Sequence, residues 1–258
     1  MTLSIDLHMD YMIEPDDPAL LAITVARTPG QHVTHSTLEI EDAALRWIDA
    51  DNPLGARVWA ATPGSRLHLS YRAHVEITRA DPDLHGLMAQ PWHALPPDVL
   101  GYLRPSRYCP SDALVPFVRR GFGHLRGGAA IAAIRDWVAD ALAYVPGSST
   151  AATTALDTFV AREGVCRDFA HLVCGMARAA GIPARYATGY GPDVAPQDFH
   201  AVAEVWLDGA WHVVDATGMS AASTLAIIGR GRDAAEVAFM ETERWATPVF
   251  QRIEVTRA

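Results

Sequence analysis

The sequence predicts an α+β protein whose strands and helices occupy separate stretches of chain. Three observations carry this. Period-two alternation dominates residues 1–79, prolines crowd residues 80–127, and from Gly128 the apolar spacing turns helical before returning to strands. In "LSIDLHM", Leu3, Ile5, Leu7 and Met9 alternate with Ser4, Asp6 and His8. In "RLHLSYRAHVEIT", Leu67, Leu69, Tyr71, Ala73, Val75 and Ile77 alternate with polar neighbours. A period of two sends every apolar side chain to one face, as in a strand with one wet side. "DADNP" and "TPGS" supply turns between strands. The expectation for 1–79 is a β-rich domain, an antiparallel sandwich or a small barrel.

Residues 80–127 read as a connector. Seven prolines fall between Asp81 and Pro116, and proline disfavours long regular elements. One short helix is expected near Asp98–Leu103, and Cys109 is expected to be a buried structural thiol. Residues 128–258 read as the second domain. "AAIAAIRDWVADALAY" places Ile131, Ile134, Val138 and Leu142 on one helical stripe. "TALDTFVAREG" predicts a helix closed by Gly164. "CRDFAHLVCGMARAAG" predicts a third, burying Phe169, Leu172, Val173, Met176 and Ala180 and ending at Gly181. Strands follow in "ARYATGYG", "HAVAEVWL" and "AWHVVDA", with a last one in "PVFQRIEVT".

Composition narrows the function. The formal net charge is −9, every basic residue is Arg, and Arg119–Arg120 is the one adjacent basic pair, so no nucleic-acid partner is expected. No run approaches about 18 apolar residues, which argues against a membrane partner. The start "MTLSIDLHMDYMIEPDDP" lacks the basic and apolar regions of a signal peptide. Three widely spaced cysteines make no disulfide framework. Cys166 and Cys174, on one helix, would stand roughly 12 Å apart, too far to bridge. A cytoplasmic protein with free thiols is expected. With no CxxC or HExxH pattern, no structural zinc is expected, and no cofactor is expected.

Cys166 sits where a helix begins. Backbone N–H groups there lack helical partners and the helix dipole is positive, which favours thiolate and offers donors to an oxyanion. Its partner comes from "HAVAEVWLDGAWHVVDAT". Asp208-Gly209 is a favoured two-residue hairpin turn. It pairs Leu207 with Ala210, Trp206 with Trp211, Glu204 with Val213 and Val202 with Asp215. His200, Val202, Glu204 and Trp206 then share a face with Trp211, Val213 and Asp215, and His200 stands diagonal to Asp215. His212 falls on the other face. The predicted assembly is Cys166 as nucleophile, His200 as general base and acid, and Asp215 orienting the ring. His171 points away from Cys166 and reads as structural. Asp168 reads as a capping carboxylate and Glu204 as an edge or surface residue. Tyr144, ending a helix, is a candidate oxyanion donor or simply a packed Tyr. Trp206 and Trp211 are candidates for a substrate groove or for cross-strand packing.

At these residues the chain resembles the transglutaminase-like superfamily. "GVCRDFAHL" is similar to its nucleophile segment, and "DFHAVAEVWLDGAWHVVDAT" to its histidine and aspartate strands. "YLRPSRYCPSD", the strand-rich start and "IIGRGRDAAEV" resemble the bacterial transglutaminase-like cysteine protease subgroup. The resemblance implies a papain-like core of helices packed on an antiparallel sheet, a thioester acyl-enzyme and no metal. It maps Cys166, His200 and Asp215 onto the family's three catalytic residues. The expected function is a cysteine-dependent protease or amidase acting on a peptide or protein substrate bearing glutamine or another amide. Transfer of the acyl group to an amine, and a non-catalytic binding module, are the alternatives. Acyl transfer from coenzyme A shares the triad order but lacks a nucleotide-cradling stretch. Oligomeric state is not legible.

Overall fold

The computed structural model describes residues 1–48 and 55–258. The strand-rich start comprises β1 (Thr2–Ile13), β2 (Ala19–Leu21), β3 (Gln31–Ile40), β4 (Ala44–Ile48), β5 (Arg57–Ala61) and β6 (Arg66–Ile77). Then come α1 (Ser111–Phe122), α2 (Gly127–Ala141), β7 (Ala143–Tyr144), α3 (Ala155–Ala161), β8 (Glu163–Gly164) and α4 (Cys166–Ala179). The chain closes with β9 (Ala184–Tyr190), β10 (His200–Leu207), β11 (Ala210–Val214), β12 (Ala226–Gly231), β13 (Met240–Glu241) and β14 (Ala246–Arg257). "TPGS" turns β5 into β6, and the predicted "DADNP" turn at 49–53 lies outside the described residues.

Two antiparallel sheets, ordered β14-β1-β6-β3 and β13-β2-β5-β4, build the first layer pair. Their inner faces share one apolar cluster, which joins Leu3, Ile5, Leu7 and Met9 to Leu21, Val58 and Ala60, as sandwich packing requires. Every alternating apolar residue named above in β1 and β6 is buried. The C-terminus completes this sandwich. β14 pairs along β1 from Leu3↔Arg257 to Ile13↔Ala246. The division at 79/80 and 127/128 is a proposal, and in sheet pairing the last strand belongs with the first unit.

The connector contains a longer helix than its prolines suggest. Beyond the short turn at Leu100–Leu103, α1 runs for 12 residues with Pro116 inside it. Leu114, Val118 and Phe122, spaced by four, bury one stripe and offset the lost backbone bond. Likewise α3 ends not at Gly164 but at Arg162, which takes the left-handed conformation at φ 61. In α4 every residue from Asp168 to Arg178 is buried, whereas Ala180, expected inside, is exposed. α4 is therefore the centre of the second layer. It packs against α1, α2 and α3 and against β9 and β10 of the sheet β11-β10-β9-β12.

The two halves are tied together by polar groups. Gln31 donates to the Ala26 and Ile227 carbonyls and accepts from the Ile227 N–H. Arg79 bonds Gln31 and the carbonyls of Ala222 and Leu225. Tyr190 of β9 donates to the Ile23 carbonyl at 2.7 Å. Buried amides and guanidiniums carry a high cost unless paired, so these bonds hold the sandwich and the second sheet in one arrangement. Among the described residues no helix is long and apolar enough to cross a membrane.

Candidate active site

Cys166 opens α4 after the extended residue Val165, at φ −114. Val165 has no side-chain oxygen to cap the helix. Asp168 does it instead: Oδ2 accepts from the Val165 N–H at 2.9 Å and from Ser149 Oγ at 2.6 Å, while Arg167 pairs with Oδ1 at 3.0 Å. Gly164 leaves room for this; a Cβ there would stand 2.7 Å from the Cβ of Asp168. The cysteine is half-buried, and Cys109 and Cys174 are buried. Burial pushes the Cys109 thiol to about 12, with Sγ donating to the His171 carbonyl at 3.4 Å. Burial also raises the thiol of Cys174.

The hairpin has the register that alternation predicts: Ala203↔Val214, Glu204↔Val213, Trp206↔Trp211 and Leu207↔Ala210. Asp208 and Gly209 both take positive φ, 48 and 77, as a type I′ turn demands. His200 begins β10, with Nε2 2.8 Å from Asp215 Oδ2 just past β11. Asp215 can only accept, so Nε2 carries the proton. His200 Nδ1 is buried and has no hydrogen-bond partner among the described residues.

Asp215 is held as an anion by five donors. Besides His200, Oδ2 accepts from the Ser220 N–H at 2.9 Å and its Oγ at 2.8 Å; Oδ1 accepts from the Thr217 N–H at 2.8 Å and its Oγ1 at 2.7 Å. Burial alone would raise its pKa, but the hydrogen bond and charge of His200, with Thr217, hold it below the usual carboxylate range. For His200, burial favours the neutral ring. The hydrogen bond and charge of Asp215, with the neighbouring Cys166, outweigh it and lift the ring from 6.5 to about 9.

A cavity of about 690 Å³ holds Cys166 and His200 together. Tyr11 and Ala22 line it from the sandwich, Pro248 and Gln251 from β14. Tyr144 lies not at a helix end but on β7, which pairs with β8 just before Cys166. Burial and the charge of Cys166 push its hydroxyl to about 12, and the Cys166 N–H acts on it in the opposite sense.

Trp206 and Trp211 do not line this cavity, which corrects the groove expectation. Trp206 lies six residues along β10 from His200, roughly 20 Å at strand rise. The two rings pack edge to face at 5.3 Å, Trp206 bonds Gln90, and Arg185 lies 4.0 Å over Trp211. Glu204 is likewise no surface residue. Its strand is central in the sheet, and Arg185 and Arg230 each bond Oε2 at 2.7 Å. Burial would raise its carboxyl, but the two guanidiniums outweigh that and lower it. His171 stacks on Tyr108 at 5.1 Å, packs at a tilt against Tyr186 at 4.8 Å, and accepts from the Ala234 N–H through Nε2. Burial depresses it to about 3, so it stays neutral. Thr217 and Ser220 were missed in the sequence. Their signal is the "DATGMS" turn, where an Asp followed by Thr and Gly invites side-chain-to-backbone bonds. Among the described residues no group of three or more His, Cys, Asp or Glu is placed to hold a metal ion.

Known proteins resemble this chain in sequence and fold. The model of the transglutaminase-like superfamily matches residues 120–216, which include Cys166, His200 and Asp215. The solved structure of a candidate cysteine protease from Cytophaga hutchinsonii superposes with a TM-score of 0.92 at 32% identity, over 99% of this chain and 90% of that one. An uncharacterized protein of Mycobacterium leprae is 32% identical over 169 residues, 60% of each chain. One of Mycobacterium tuberculosis is 36% identical over 109 residues, 36% of this chain and 35% of that protein. The chain thus spans about three fifths of the first of these curated relatives, and about a third of the second. From fold, matched segment and full-length structural likeness, the chain belongs to the transglutaminase-like superfamily, a family of cysteine-dependent hydrolases and transferases.

Proposed function

We propose that the protein is a cysteine-dependent amide hydrolase, a protease or amidase, with Cys166, His200 and Asp215 as its triad. One observation carries the reading: a five-donor carboxylate holds one nitrogen of a buried imidazole, and the other nitrogen is left for the sulfur that shares its cavity. In this reading His200 takes the Cys166 proton. The Sγ–C bond forms as the carbonyl π pair moves to oxygen. The Cys166 N–H at the head of α4 and the Tyr144 hydroxyl are the proposed donors to that oxyanion. Collapse breaks the C–N bond, and His200 gives its proton to the leaving amine. Water then loses a proton to His200, attacks the thioester and frees the acid and the thiol. Asp215 keeps the ring oriented and stabilises imidazolium throughout. The C. hutchinsonii relative supports proteolysis over crosslinking.

The test is incubation with a glutamine donor and a labelled primary amine. Ammonia release without amine incorporation is the expected result. Incorporation would make the protein a transglutaminase. Neither, with Cys166 unreactive, would leave a binding module on the same fold.

A further inference from the structure

The cavity has a charged corner that the triad does not use. Its charged lining side chains are Arg167, Asp198 and His200. Arg167 is occupied by Asp168, Ser149 and the Thr150 carbonyl, and His200 by Asp215. Asp198 is different. The Phe199 N–H at 2.7 Å and Gln251 Nε2 at 2.8 Å both bond its Oδ1. Among the described residues no donor bonds Oδ2 and no cation pairs with the carboxyl. Asp198 is exposed at the cavity; the partial burial of its carboxyl raises its pKa, and only those two hydrogen bonds oppose the rise. Its charge is felt at the hydroxyls of Tyr11 and of Tyr144 beside Cys166.

Aromatic rings line the same cavity. Phe199 and Phe239 stack at 4.8 Å with an interplanar angle of 11°, and both line the cavity. Tyr11 lines it too, and its hydroxyl bonds Gln251, which in turn bonds Asp198. A carboxylate oxygen without a donor, in a cavity lined with aromatic rings, matches the chemistry of an organic cation: charge attraction from the one, quadrupole attraction from the others.

We propose that Asp198, Tyr11, Phe199 and Phe239 form a subsite for an alkylammonium group next to Cys166. This rests on Cys166 being the reacting thiol. The ammonium is either a basic side chain of the substrate flanking the scissile amide, or the amine that attacks the thioester.

The experiment needs no known substrate. Rates of Cys166 modification are measured with three methanethiosulfonates carrying a neutral methyl, a cationic aminoethyl and an anionic sulfonatoethyl group. Each is normalised to its rate with glutathione. The cationic reagent should outpace the anionic one by about tenfold at low salt, a preference that shrinks as salt screens it. Asp198→Asn should cut that ratio several-fold, and Asp198→Glu should restore it. Equal ratios in wild type and Asp198→Asn, or a wild-type preference indifferent to salt, overturn the subsite. The salt series keeps the test open even if Asp198→Asn misfolds. A Cys166 that reacts with none of the three overturns the thiol assignment instead, and the subsite with it. With a donor in hand, Asp198→Asn should lose a preference for basic flanking residues if the ammonium is the substrate's. It should raise KM for the amine if the ammonium is the acceptor's.

Discussion

Asp215→Asn should uncouple His200 from Cys166. The carboxylate accepts five hydrogen bonds, two on Oδ1 and three on Oδ2. An amide has one oxygen and one NH2, so one of those two sets must face a donor. The ring also loses a full counter-charge. Asp215 and Cys166 together lift His200 from 6.5 to about 9 against burial. At about 1.36 kcal/mol per tenfold, that is about 3 kcal/mol, and the hydrogen bond to Asp215 is the largest of the raising contributions. Without it the ring loses its strongest support, and its midpoint falls. Near the wild-type midpoint of about 9 the protonated ring should then be roughly several-fold scarcer, and alkylation of Cys166 by iodoacetamide slower by a similar factor. The assay pairs two readouts across pH. One is the ring-proton NMR of His200, identified by its loss in His200→Gln, and the other is the alkylation rate. Circular dichroism checks the fold. A variant that folds yet keeps the wild-type midpoint and rate would refute the coupling, and Asp215 would leave the triad.

Three further outcomes follow from the same geometry. Cys166→Ala should abolish amide hydrolysis at unchanged melting temperature, whereas Cys174→Ala should keep activity and lose about 1 kcal/mol of stability from a small buried void; equal loss of activity in both would mean the wrong thiol. Glu204→Gln should destabilise by about 3–5 kcal/mol in urea, because it strands two guanidiniums in the sheet; a change under about 1 kcal/mol would show that water reaches them. His200 binds its proton more tightly folded than unfolded, so its contribution is full below 6.5 and is lost as pH rises through about 9. The stability difference between wild type and His200→Gln should therefore shrink by about 3 kcal/mol across that window, and a flat difference would rule out the raised ring.

Local pattern carried the elements whose chemistry is periodic. Alternation in β1 and β6 told which residues face inward, and the Asp208-Gly209 turn set a register that brings His200 and Asp215 to one face. Pro116 and Arg162 show where local rules yield: a buried stripe holds a helix through a proline, and an Arg takes the left-handed end that Gly164 was expected to supply. Glu204 was misread because alternation reveals a face but not what covers it. The guanidiniums that neutralise it come from β9 and β12, 19 and 26 residues away along the chain.

By itself, then, the sequence determined the α+β order, the faces of β1 and β6, the helix that begins at Cys166 and the hairpin that brings His200 and Asp215 to one face. These depend on contacts between near neighbours, and near neighbours leave a period. Only the tertiary structure decided that β14 returns to β1, that the sandwich supplies Tyr11 and Gln251 to the cavity, and that Asp198 faces it without a cation. Those placements join residues up to 240 positions apart. Their free energy comes from burying shared surface rather than from any spacing along the chain.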